Sequence, residues 1–182
     1  MTRSILVDGW RIEVTSRPGV PRVLSAVACA RIVAAALRAG VAPNRTSIGV
    51  VLANDAELAE LNETHLGHEG PTDVLSFPLL EPGAFPPHVG RATSSRSVAT
   101  SFVLPPRTRV HLGDIAVSVE RAVAQASEGR GGQTGDIAWA AADELGLLLT
   151  HGTLHVCGWD HATPVEEAAM RALERSLLEP TG

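Results

Sequence analysis

The chemistry-bearing stretch of this 182-residue chain is His151-Gly-Thr-Leu-His155-Val-Cys-Gly-Trp-Asp-His161. His151 and His155 are four residues apart, so a helix presents both imidazoles on one face, one turn from each other. A divalent ion fits between two such rings. Gly158 can end that helix in the left-handed conformation and turn the chain back, which brings in His161 as a third ligand. Three histidines with an open fourth position describe a catalytic zinc site, whereas structural zinc sites close all four positions. Cys157 is the one nearby fourth ligand for a structural site, but its place near the helix end reads as a packed thiol. The expected cofactor is one divalent metal, Zn2+.

The same run fits the H-E-x-x-H-x-x-G-x-x-H pattern of the long-motif zinc proteases at every fixed position except the second, where Gly152 replaces glutamate. In those proteases the glutamate is the general base. Glycine has no group for that task, so the spacing argues for a metal site and against peptidase chemistry. The base is then left to hydroxide, to a group on the substrate or to a nearby carboxylate. The carboxylates in question are Glu144, Asp160 and Asp73. Glu144 falls on the same stripe as Leu148, His151 and His155, two turns before the first ligand. Asp160, beside His161, can orient that ligand or its loop.

A long helix from about Asp136 to Val156 has to deliver this motif. The rest of the chain reads as alternating strands and helices around it. Ile5–Val7 and Ile12–Val14, split by Asp8-Gly9, predict a hairpin or an interrupted strand. A helix from about Arg22 to Ala39 carries an apolar stripe through Val23, Val27, Ala30, Ala34 and Leu37. Ile48–Ala53 predicts a buried strand, and Asn54 or Asp55 caps a short helix reaching Leu66. Val74–Phe77 and His111–Ser118 predict two further strands, and a helix follows from Val119 to about Glu128. Thr163, Pro164 and Glu166 form a capping box that opens the last helix, which runs to about Leu178. Residues 79–110 lose all periodicity and are rich in proline, serine, glycine and arginine, which predicts a disordered or inserted loop.

Length and the absence of repeats place residues 1–182 in a single domain. The fold class is α/β (α+β), with a small mixed, mainly parallel sheet, about five helices and a metal site at the end of a long helix. All 15 basic residues are arginine, which excludes a Walker-type phosphate loop and a Schiff-base lysine. The net charge of −5 gives no global attraction to nucleic acid, so RNA contact needs a local basic patch. Arg91, Arg96, Arg107 and Arg109, all within the 79–110 segment, are the residues that could build one. Two cysteines, Cys29 and Cys157, suggest no disulfide partner. With no apolar run of spanning length, no membrane association is expected and the default location is cytoplasmic.

Three blocks together resemble the YbeY family of metal-dependent endoribonucleases, the bacterial rRNA maturation factors. The blocks are Leu61-Asn62 with Pro71-Thr-Asp-Val-Leu-Ser-Phe77, then Leu112-Gly-Asp-Ile-Ala-Val-Ser118, then Glu144-Leu145 with His151 to His161. The closing block is similar to the family's H-G-x-L-H-x-x-G-x-D-H, including Gly152. The resemblance implies zinc on His151, His155 and His161 and hydrolysis of single-stranded ribosomal RNA, at the 3′ end of the small-subunit molecule. Thr72, Asp73, Ser76 and Asp114 match family positions. Thr72, Ser76 and Asp114 are then candidate substrate contacts, while for all four a turn-anchoring or capping role is the stronger reading. One position departs from the pattern: Leu66 stands where the family usually has an arginine suited to clamping a phosphate. That departure raises an alternative, a ribosome-assembly or RNA-binding factor that keeps the metal but cleaves weakly. The four loop arginines are the candidates to supply the missing charge.

Overall fold

A computed structural model of the chain describes residues 1–90, 108–128 and 140–178. Five strands form one mixed sheet: β1 (Thr2–Val7), β2 (Trp10–Ser16), β3 (Ser47–Ala53), β4 (Val74–Pro78) and β5 (His111–Ser118), in the order β1-β2-β3-β5-β4. The three central strands run parallel, and both edge strands are antiparallel to their neighbours. The Asp8-Gly9 break is a hairpin turn, with Asp8 and Gly9 both at positive φ.

Five helices complete the described fold: α1 (Ala26–Ala39), α2 (Asp55–Leu66), α3 (Val119–Ser127), α4 (Ala141–Val156) and α5 (Pro164–Leu178). Their starts follow local capping chemistry. The side chains of Ser25, Asn54 and Ser118 each accept a backbone N–H of the first turn. At α5 the predicted box forms reciprocally, the Thr163 amide donating to Glu166 and the Glu166 amide to Thr163. The motif helix begins at Ala141, later than the expected start at about Asp136, because Ala140 before it is extended; residues 129–139 lie outside the described residues.

The sheet has two unequal cores. Ile12, Ile48, Val50, Ile115 and Val117 face α1, α3 and α4 in the main cluster, with Leu145 and Leu149 of α4 at its centre. Ala53, Leu58, Leu75 and Ala116 form a smaller cluster under α2 on the opposite face. Alternation along β4 and β5 therefore decides which side chains meet the motif helix: Val74, Ser76 and Ile115 do, whereas Asp114 shares the other face with Phe77.

Residues 79–90 are the described part of the segment expected to be a disordered or inserted loop. They form a 3₁₀ turn at Pro82–Ala84, bury Phe85 in the main core and place the Gly90 carbonyl 2.8 Å from the Asp160 amide that donates to it. Composition gave no sign of this, because a few apolar residues pinned at separated points leave no period. Positions 91–107, with Arg91, Arg96 and Arg107, lie outside the described residues.

Helix α4 lies unusually close to the sheet at Gly152. A Cβ there would sit 2.9 Å from Val74 Cγ2 and 3.2 Å from Ile115 Cγ2, both on stiff β-branched side chains. Gly152→Ala should therefore destabilise the chain in a denaturant titration, the overpacking cost of about 1–3 kcal/mol exceeding the helix-propensity gain. Gly146→Ala on the same helix meets nothing nearer than 3.7 Å. It should stabilise by up to about 1 kcal/mol; equal effects from the two substitutions would contradict this packing.

Candidate metal centre

Helix α4 supplies His151 and His155 from its last two turns, and its termination supplies His161. The end is a Schellman motif: Gly158, at φ +81°, donates to the His155 carbonyl, and the Trp159 amide donates to that of Leu154. A Cβ at Gly158 would also press on Pro82 at 3.0 Å, so this glycine serves both the turn and the approach of the 79–90 segment. Beyond it, the Asp160 carboxylate accepts the His161 amide at 2.8 Å and holds the loop that carries the third ring.

The outer nitrogens of the two helical histidines are tied to acceptors. His151 Nδ1 lies 2.7 Å from a Glu174 carboxylate oxygen, and His155 Nδ1 lies 2.9 Å from the Trp159 carbonyl. Both partners are acceptors, so each Nδ1 carries the proton and each Nε2 keeps a bare lone pair. The two Nε2 atoms face one another at 3.0 Å. At that spacing a proton or a metal ion can join the two rings. One ring nitrogen from each of His151, His155 and His161 comes within 4.8 Å of the others, so these three residues could hold a metal ion. Burial, and after it the charges of His151 and His161, push the His155 pKa down to about 4, which keeps its lone pair available at neutral pH.

The ligands lie in a cleft of about 830 Å³ bounded by β4, the end of α2, the 79–82 segment and the loop after Gly158. The donor set is nitrogen alone. Cys157 is fully buried and its thiol is pushed up to about 12 by burial, so it stays a protonated packing group. Cys29 is likewise buried and free.

A sequence model of the endoribonuclease YbeY family matches residues 22–182. A Roseiflexus castenholzii endoribonuclease YbeY is 35% identical over 94% of this chain and 92% of its own length. This chain belongs to the YbeY family. A Symbiobacterium thermophilum endoribonuclease YbeY is 38% identical over 79% of this chain and 76% of the relative. A Thermotoga maritima solution structure shares the fold at TM-score 0.52 and 20% identity, over 93% of this chain and 87% of that one.

The other positions matching the YbeY pattern are distributed unevenly about the cleft. Thr72, Asp73, Ser76 and Asp160 line it together with Leu66, which is 48% exposed and makes an apolar patch of wall where the sequence reading expects an arginine. Asp73 is engaged through both oxygens, one accepting the Val74 amide and the other Gln125 Nε2, which makes it the anchor of the strand entry. Ser76 donates to the Gly152 carbonyl at 3.1 Å and so ties β4 to the motif helix. Asp114 does not line the cleft: it sits on the opposite sheet face beside His111. Glu144 is buried and also absent from the lining, since seven residues of helix carry it about 10 Å up α4 from His151. Arg109 spends its guanidinium on the Gly9 carbonyl at the β1–β2 turn, outside the cleft.

Glu174 was the residue sequence reasoning missed. Its signal was faint but physical: Glu166, Met170 and Glu174 recur every four residues and are all buried on one stripe of α5. An acid on such a stripe needs a partner, and His151 is one.

Two outcomes follow. Glu174→Gln keeps the shape but weakens the acceptor, so zinc affinity measured by chelator competition should fall about 10–100-fold; unchanged affinity would remove Glu174 from the site. In the metal-free chain, a histidine held near 4 when folded and near its ordinary value when unfolded binds more protons in the unfolded state. Stability should therefore decline as pH falls from about 6.5 towards 4, and His155→Gln should flatten that part of the thermal-unfolding profile.

Proposed function

We propose that this chain is a zinc-dependent endoribonuclease that cuts single-stranded RNA, acting at the 3′ end of small-subunit ribosomal RNA during ribosome maturation. The observation that carries the reading is the convergence of the His151 and His155 Nε2 atoms, 3.0 Å apart, on a cleft of about 830 Å³. The family supports the substrate class, since the relatives bear the name endoribonuclease. Three imidazoles suit zinc among the available divalent ions.

His151, His155 and His161 would hold the ion, which when bound supplies Lewis acidity for hydrolysis of a phosphodiester by water. Glu174 and the Trp159 carbonyl fix the ring orientations, and Asp160 fixes the loop under His161. The packing of Gly152 leaves no room for the glutamate that zinc peptidases use, so the peptidase reading has no base. Leu66 in the cleft wall favours a second reading, an RNA-binding assembly factor with weak cleavage. A cleavage assay on single-stranded RNA, with zinc and with chelator, separates the two.

His151→Ala should lose zinc and, with it, RNA cleavage by at least roughly a hundredfold. Cleavage that persists in the metal-free variant would refute the assignment.

A further inference from the structure

Among the described residues, the cleft that opens on the histidines is lined by no arginine. Its acids are Asp73, Glu81 and Asp160, and its walls at Leu66, Phe77, Leu79 and Leu80 are apolar. Such a surface suits nucleobases, which pack on apolar and aromatic groups, and disfavours phosphates, which need cations. Among the described residues, the positive charge nearest to hand for a polyanion crossing the three histidines lies in the adjoining recess on the α5 side.

A second recess, of about 200 Å³, opens on the α5 side of the same ligands and is lined by His151, His161, Glu167, Met170, Arg171 and Glu174. Its two acids are occupied. Glu174 is committed to His151, and Glu167 pairs with Arg171 one turn along α5. The Arg171 side chain is 48% exposed, so that ion pair is a surface contact of small net strength. A phosphate offers the planar guanidinium a bidentate partner that can displace it.

We propose that Arg171 is the phosphate-binding residue of this site. The backbone of a single-stranded RNA crosses the histidines into the α5 recess, while its bases lie against the apolar wall beside β4 and α2. The inference rests on the endoribonuclease reading, and it assigns the backbone contact to a helix that sequence analysis credited with no role. Glu167 acts as a stand-in anion that holds the guanidinium until phosphate replaces it.

The test is binding, not turnover: fluorescence anisotropy of a labelled single-stranded RNA oligonucleotide on the full-length, metal-stripped protein, across a salt series. Arg171→Gln should weaken binding about tenfold and lower the salt slope by about 0.7, the share of one phosphate contact. Arg175→Gln makes the same charge change on the same helix at an exposed position outside the recess and should weaken binding less than about twofold. Glu167→Gln frees the guanidinium and should tighten binding. Equal losses from the two arginine variants would overturn the proposal, as would loss of zinc affinity in Arg171→Gln, because the residue would then be supporting the ligands. If the parent protein binds no RNA at any salt concentration, with zinc or without it, the endoribonuclease reading itself fails, a result distinct from failure of Arg171 alone.

Discussion

The approach of α4 to the sheet at Gly152 sets the terms for the whole site. With no side chain there, the helix settles against Val74 and Ile115 at a separation that even a methyl group would disturb. Ser76 fastens the contact from the β4 side through the Gly152 carbonyl. The residues flanking that point on the helix, His151 and His155, are thereby directed along the edge of β4 into the cleft. The same contact explains the chemistry that is missing. A glutamate at this position would need the volume that the sheet already fills, so the aim of the histidines and the lack of a peptidase-type base share one packing contact.

The ligand rings are then aimed by parts of the chain far apart in sequence. Helix α5 sends back Glu174 to His151, and the loop closed by the Schellman turn offers the Trp159 carbonyl to His155. Each bond uses up a ring proton on the outside and leaves a lone pair on the inside. The 79–90 segment closes over this loop, with Pro82 against Gly158 and the Gly90 carbonyl on the Asp160 amide. Helix, loop and strap each hold one side of the centre, so the three nitrogens converge without any ligand coming from the sheet itself.

Much of this was legible in the residues. The His-x-x-x-His spacing, Gly158 and the Thr163–Glu166 box each encode a local geometry, and the structure shows each of them. Long-range placement was harder to read. Glu144 shares a helix stripe with the ligands, but periodicity does not say how far along the axis a groove ends. Asp114 lies within a matching block, yet alternation along β5 turns it to the opposite face. Glu174 depends on how α5 docks on α4, which no local pattern specifies. Residues 79–90 lacked a period because their order comes from tertiary anchors such as Phe85.

The central claim is that one metal ion is held by His151, His155 and His161 through nitrogen alone. X-ray absorption at the zinc edge of the reconstituted full-length protein tests it most directly. The account predicts one zinc per chain, with a first shell of nitrogen and oxygen that shows imidazole scattering and no sulfur. A sulfur neighbour at about 2.3 Å would contradict it, because it would bring the buried Cys157 thiol into the site and turn an open centre into a closed structural one.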